Sequence, residues 1–244
     1  MTGRLERKVA LITGSSRGIG AEIARGYAAE GAQVIITYKG QRDLAEKVAK
    51  EIGAPMCLQM DITKKEDIIS AYEKINKKLG KLDVLVQNAG FNITNDYEHL
   101  DDGDFDRVVE GNLKGPFMVT KYAIPYMNDG GSILLIGSLS GLNGGPRTPS
   151  YSAAKAGVGQ LTVCLARYLA PKNITVNCIH PGVIAGEMTA ATMHPSVMET
   201  ALQNLMIKRL GDYKDLVPMA ITLVEPANHW MTAQQVSVNG GAFF

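Results

Sequence analysis

Cysteine is scarce in this 244-residue chain: Cys57, Cys164 and Cys178 are odd in number and show no CxxC or Cys/His spacing. That excludes a disulfide framework and a zinc site, and it points to a reducing compartment. Each cysteine lies in an apolar stretch, so all three are expected to be buried. Surplus charge is missing too. The formal net charge is +1 and no basic cluster stands out, so the electrostatic footprint of a nucleic-acid binder is absent. No apolar run approaches the ~18 residues that would span a bilayer. The N-terminal stretch MTGRLERKVALITG is charged and runs into a strand-like segment, without a signal-peptide apolar region or cleavage site. The expectation is a cytoplasmic protein with no membrane segment, no nucleic-acid partner and no metal site.

What the chain does contain is ordinary globular material, 45% hydrophobic and 20% charged. Its length suits one domain over residues 1–244. Short apolar runs at Val9–Thr13, Val34–Thr37, Met56–Met60, Val84–Gln87, Ile133–Gly137, Ile174–Ile179 and Gln235–Val238 read as strands. Between them, helical spacing covers Gly18–Glu30, Arg42–Ile52, Lys64–Leu79, Phe105–Met127, Tyr151–Ala170 and Tyr213–Val224. Continuous apolar strands belong to a parallel sheet covered on both faces, and the alternation predicts an α/β doubly wound sheet. Ligands in such sheets bind beyond the carboxyl ends of the strands, where the order reverses. Residues 186–210 break the alternation. Their methionines, Met188, Met193, Met198 and Met206, suggest a lid adaptable to apolar ligands, or ordinary packing.

Thr13-Gly14-Ser15-Ser16-Arg17-Gly18-Ile19-Gly20 follows the first strand and opens the first helix. Gly14 permits a tight turn, Gly18 lets backbone approach a pyrophosphate, and Gly20 lets the helix pack against the sheet. The helix N-terminus offers free N–H groups to phosphate. An NAD site usually carries an acid at the end of the second strand. Here that strand ends in Thr37-Tyr38-Lys39, so Arg17 and Lys39 supply cations suited to the 2′-phosphate of NADP(H).

With TGSSRGIG at 13–20, Asp61, NAG at 88–90, Asn112, Ser138, YSAAK at 151–155, PG at 181–182 and NGG at 239–241, the chain resembles the short-chain dehydrogenase/reductase family. The resemblance implies a Rossmann-type sheet of seven strands, NADP(H) as cofactor, and a catalytic tetrad of Asn112, Ser138, Tyr151 and Lys155. It adds Asp61 and Ile62 beside the adenine, and Asn88, Ala89 and Gly90 along the adenosine side. Tyr38, Pro181, Gly182 and Ile184 complete the implied cofactor set. Tyr151 and Lys155, four apart at a helix start, share one face. A tyrosine titrates near ~10, and a neighbouring ammonium is expected to lower that value. Ser138 leaves the end of the fifth strand, with Ser140 the less favoured substitute. Asn112, flanked by Gly111 and Gly115, is implied to mark a helix irregularity holding a water behind Lys155.

Within the family the text is most similar to 3-oxoacyl-[acyl-carrier-protein] reductases and related ketoreductases, with a ketone or thioester-linked substrate and acyl-carrier-protein as a candidate partner. It departs from them at Asn128-Asp129-Gly130-Gly131, where a basic docking residue is usual, although Lys172 keeps a cation nearby. The threonine usual after PG, at the nicotinamide amide, is missing from Val183-Ile184-Ala185-Gly186, and the next is Thr189. Arg147 and Met188 are candidate substrate contacts, although a solvated loop arginine is the simpler reading. The family usually forms tetramers through the helices of 105–127 and 151–170 and the C-terminal segment, and the terminal Phe243 and Phe244 suit a buried interface. The same residues serve alcohol oxidation, which stays open, as does a catalytically silent cofactor-binding subunit.

Overall fold

The computed structural model describes residues 3–242, apart from Pro146 and His194 and the side chains of 195–197; the expectation for Phe243 and Phe244 lies outside the described residues. Seven parallel strands run β1 (Val9–Ile12), β2 (Gln33–Tyr38), β3 (Met56–Gln59), β4 (Leu82–Gln87), β5 (Met127–Ile136), β6 (Thr175–Pro181) and β7 (Gln235–Val238). Their spatial order is β3-β2-β1-β4-β5-β6-β7. The order reverses between β1 and β4, so the carboxyl ends of these two strands flank the switch point. Strand alternation sends Ala10, Ile12, Val84, Val86, Leu134 and Ile136 to one core, and Val9, Leu11, Leu85, Ile133 and Leu135 to the other.

Helices cover both faces because their apolar residues recur at helical spacing. On α1 (Gly18–Ala29) the buried set is Gly20, Ala21, Ile23, Ala24 and Tyr27. After α2 (Arg42–Glu51), α3 (Lys65–Leu79) buries Ile68, Ala71, Tyr72 and Ile75. The single helix expected over Phe105–Met127 is instead α4 (Asp102–Val109), a π turn (Glu110–Lys114) and α5 (Gly115–Ala123). Packing explains the interruption. A Cβ on Gly111 would stand 2.7 Å from the Phe91 ring, and one on Gly115 would stand 2.8 Å from Ile62, so both glycines let the wider turn sit against its neighbours.

The short α6 (Ser140–Asn143) precedes α7 (Pro149–Leu169), which starts two residues before the expected Tyr151. Proline suits that first position because its missing N–H would have no helical partner. The segment 186–210 forms α8 (Glu187–Thr192) and α9 (Pro195–Asn204). Expected as one helix, 213–224 is a 3-10 turn (Tyr213–Leu216) followed by α10 (Val217–Thr222). β5 begins six residues early, pairing Met127 with Leu82 before the register shifts and Ser132 pairs with Val84. The cysteines correct another expectation. Cys178 is buried, but Cys57 is half-buried and Cys164 is exposed, on a face of α7 left open among the described residues.

Candidate active site

The phosphate loop is built by side chains that satisfy its backbone. Gly14 has φ +63° and Gly18 φ +60°, the left-handed region that favours glycine. A Cβ on Gly14 would stand 2.9 Å from Ala89 Cα, and one on Gly20 would stand 2.5 Å from Asn88 Nδ2. Asn88 Nδ2 donates to the carbonyls of Thr13 and Gly14, both at 3.0 Å, and the Asn88 and Ala89 N–H groups donate to Thr13 Oγ1 at 3.0 Å. Asn88 and Ala89 thus clamp the loop. Ser16 and Arg17 lie along it ahead of the open N-terminus of α1, and Ile19 lies in the first turn of that helix. This cradle, with room for backbone contacts and no side chain in the glycine positions, fits a dinucleotide diphosphate.

Both expected cations already have partners. Arg17 Nη1 lies 2.6 Å from Glu187 Oε2 on α8, and Lys39 Nζ lies 2.9 Å from Asp61 Oδ2. Asp61 Oδ1 also accepts from the N–H and hydroxyl of Thr63 at 3.0 and 2.8 Å. Burial raises the Asp61 pKa, but Lys39 and these Thr63 bonds outweigh it and hold the carboxyl below its usual range. Beyond β2 and β3 a cavity of about 270 Å³ is lined by Lys39, Thr63, Phe91, Arg107 and Glu110. Of these, the sequence reading had singled out Lys39 alone. Tyr38 is half-buried beside this edge, and Ile62 is buried against Gly115.

On the other side of the switch point the four tetrad residues converge. Tyr151 is hydrogen-bonded to the Ser138 side chain, and Lys155 Nζ lies 5.6 Å from the centroid of the Tyr151 ring. Lys155 is buried and donates to the Ile136 carbonyl at 2.7 Å. Desolvation lowers its pKa to about 8. Burial raises the Tyr151 pKa, and its bond to Ser138 only partly offsets this. The lowering expected for Tyr151 is therefore reversed here: Lys155 donates to a carbonyl, and the phenol keeps its proton.

Ser138 Oγ accepts the Ser140 N–H at 3.1 Å, which orients the hydroxyl that Tyr151 shares. Ser140 thus acts through its backbone. Asn112, inside the π turn, donates to the carbonyls of Phe91 at 2.7 Å and Val108 at 2.9 Å. Its Oδ1 is buried without a hydrogen-bond partner among the described residues. A Cβ on Gly90 would stand 2.5 Å from that oxygen and 3.7 Å from Lys155 Nζ, so Gly90 separates the two. An orphaned acceptor there suits the implied water.

His180 carried no signal in the sequence reading, because one histidine in an apolar run is usually a core residue. It is fully buried, with Nδ1 3.3 Å from the Ser138 N and 3.1 Å from the Ser138 O, and Nε2 3.1 Å from Gln235 Oε1. β4 ends at Gln87, paired with Leu135, so the imidazole braces the Ser138 backbone where the neighbouring strand has run out. Pro181 ends β6 beside it and Gly182 follows, its N–H donating to Val238 O at 3.1 Å, with Ile184 buried. Arg147 is exposed and its Nε lies 3.1 Å from Asp96 Oδ1. Met188 is exposed on α8.

Residues 14–242 match the family model described as Enoyl-(Acyl carrier protein) reductase. The chain is 35% identical over 242 residues to a 3-oxoacyl-[acyl-carrier-protein] reductase of Staphylococcus epidermidis, covering 97% of this chain and 99% of the relative. It is 35% identical over 244 residues to a 7alpha-hydroxysteroid dehydrogenase of Escherichia coli, covering 98% and 95%. In structure it is similar to a blue fluorescent protein from a metagenomic library solved in complex with NADPH. The TM-score is 0.92 at 32% identity, over 99% of this chain and 100% of that one. Motif order, sheet topology and near full-length identity agree: the chain belongs to the short-chain dehydrogenase/reductase family.

Proposed function

We propose that this chain is an NADPH-dependent ketoreductase in which Tyr151 is the general acid. Membership of the family makes it an oxidoreductase acting on hydroxyl or ketone groups with NADP(H). The loop from Gly14 to Gly20 and the start of α1 would hold the diphosphate, with Arg17 and Lys39 at the 2′-phosphate. Tyr38, Asp61, Ile62, Asn88, Ala89 and Gly90 would line the adenosine half, and Tyr151, Lys155, Pro181, Gly182 and Ile184 the nicotinamide half. When bound, NADPH supplies the hydride that reduces a carbonyl carbon.

The residues supply the proton and the geometry. Ser138 turns its hydroxyl from Tyr151 to the substrate oxygen and orients it. Tyr151 passes its phenolic proton to that oxygen as the alcohol forms, and the Lys155 ammonium stabilises the phenolate left behind. Asn112 Oδ1 holds the water from which Lys155 and then Tyr151 are reprotonated. The observation that carries this reading is the convergence of Tyr151, the buried Lys155 and the unpartnered Asn112 Oδ1 beside Ser138.

Two readings of the substrate differ in where the ketone is attached. The Staphylococcus epidermidis relative supports a carrier-linked 3-oxoacyl thioester. The surface supports a substrate read more by its own features. Asp129 replaces the expected docking cation, and Lys172 Nζ lies 3.4 Å from Asp129 Oδ1, so the remaining cation faces a carboxylate. An anionic substrate at Arg147 would have to displace Asp96, an exposed pair worth about 0–1 kcal/mol. NADPH oxidation across carrier-bound, CoA-bound and free ketones separates the readings. We expect turnover of free and CoA-linked ketones, and turnover of the carrier-bound form alone would establish the carrier-protein reductase reading instead. Loss of all ketone reduction, with secondary alcohols oxidised by NADP⁺, would reverse the direction.

A further inference from the structure

Gly186 stands where the chain leaves a parallel bridge between Ile184 and Gly211 and starts α8. Its φ of 169° is extended backbone that any residue adopts, so the main chain does not ask for glycine. The space does. A Cβ at 186 would overlap the Tyr213 hydroxyl, which lies about a bond length from it. A serine or threonine at 186 would carry its own hydroxyl at that distance from Cβ. The same tyrosine ring passes Gly18, the first residue of α1, with its nearest atoms 3.7 Å from a Cβ there.

Other groups leave this hydroxyl free for a ligand. Thr189, the nearest candidate from the sequence, donates to the Ile184 carbonyl at 2.6 Å. Tyr213 is half-buried, and no hydrogen bond to its hydroxyl occurs among the described residues. Its position is braced. Asp212 accepts the Lys214 N–H at 2.8 Å, Asp215 accepts the Asp212 N–H at 2.7 Å, and Arg209 lies 2.6 Å from Asp215. A phenol oxygen held this way reaches a ligand without first losing much rotamer freedom.

Strand order decides which part of the ligand it meets. Lys39 and Asp61 lie beyond β2 and β3, whereas Gly186 follows β6, on the side of Ser138 and Tyr151. We propose that Tyr213 is a cofactor-binding residue whose hydroxyl hydrogen-bonds the nicotinamide-nucleotide half of NADP(H), and that residue 186 is glycine to admit it. This rests on the NADP(H) reading above. A phenol both donates and accepts, so it serves a phosphate oxygen or an amide in that half.

The test is binding without turnover: titration of the cofactor-free protein with NADPH and, separately, with 2′-AMP, which lacks the nicotinamide half. Tyr213→Phe removes one oxygen and keeps the ring. NADPH Kd is expected to rise roughly 5–10-fold, the scale of one neutral hydrogen bond, with 2′-AMP Kd and the cofactor-free Tm unchanged. Tyr213→Ala should weaken NADPH further, and adding Gly186→Ser should recover part of the loss by returning a hydroxyl from the other side. Unchanged NADPH affinity in Tyr213→Phe overturns the assignment. So does equal weakening of both ligands, or no recovery in the double variant. If the unmutated protein binds NADPH no more tightly than 2′-AMP, the cofactor reading itself fails and this assignment falls with it.

Discussion

In the proposed mechanism Tyr151 and Lys155 divide one task between a proton and a charge. Burial keeps the proton on the phenol, and desolvation brings the Lys155 pKa down to about 8. Tyr151→Phe should lower kcat at least ~100-fold while NADPH Kd stays within about twofold, because the ring remains and only the acid is lost. Near-normal turnover would rule Tyr151 out. The pH profile follows from the sign of the Lys155 shift. Below about 8 the ammonium is present and supports the forming phenolate; above it the amine is neutral and that support goes. Ketone reduction, followed as kcat/KM, should therefore be level on the acid side and fall through an apparent pKa near 8. A profile flat to pH 10 would show that the Lys155 charge plays no part. The four residues that the fold brings together beyond β5 were legible as candidates through the family resemblance of their motifs. His180 was not, because its role arises only when β6 brings it against Ser138 at the end of β5.

At the level of elements, the start of α8 is joined to the start of α1 by Arg17 and Glu187. Both side chains are more than half exposed, at 52% and 70%, so the pair is worth about 0–1 kcal/mol and yields readily to a phosphate. If Arg17 holds the 2′-phosphate as proposed, Glu187 and that phosphate compete for one guanidinium. Glu187→Gln should tighten NADPH binding about two- to fivefold and leave NADH unchanged. Weaker NADPH binding in that variant would mean that Glu187 helps the cofactor and does not oppose it. The competition was not visible in the chain, where Arg17 and Glu187 are far apart. The break between α4 and α5 was equally hidden to periodicity, because a π turn adds one residue to a turn without removing the apolar pattern. Gly111 and Gly115 hinted at it, and Phe91 and Ile62 pack where their Cβ atoms would stand.

For the whole molecule, the exposed apolar side chains are informative. Phe105 and Phe117 are 41% and 48% exposed on the α4–α5 arm, and Tyr168 is 70% exposed on α7. These are the helices expected to pair across a twofold axis, and self-complementary apolar faces favour closed assemblies. Sedimentation at micromolar concentration should give a dimer or tetramer, and Phe117→Glu together with Tyr168→Glu should lower the assembly state. A monomer of the unmutated protein would refute this. No helix among the described residues is long and apolar enough to cross a membrane.

The alternation of apolar runs determined the parallel sheet in advance, because a strand covered on both faces must be apolar throughout and a covering helix must repeat every three to four residues. The turn and the open helix end of the glycine loop were equally local, whereas its close approaches need Asn88 and Ala89 from beyond β4. Partnership was different. That Arg17 meets Glu187, Lys39 meets Asp61, Lys172 meets Asp129 and Tyr213 fills the space beside Gly186 depends on contacts between segments distant in the chain. Charge and hydroxyl groups act through distance and desolvation, and both are set only when the sheet has brought their elements together.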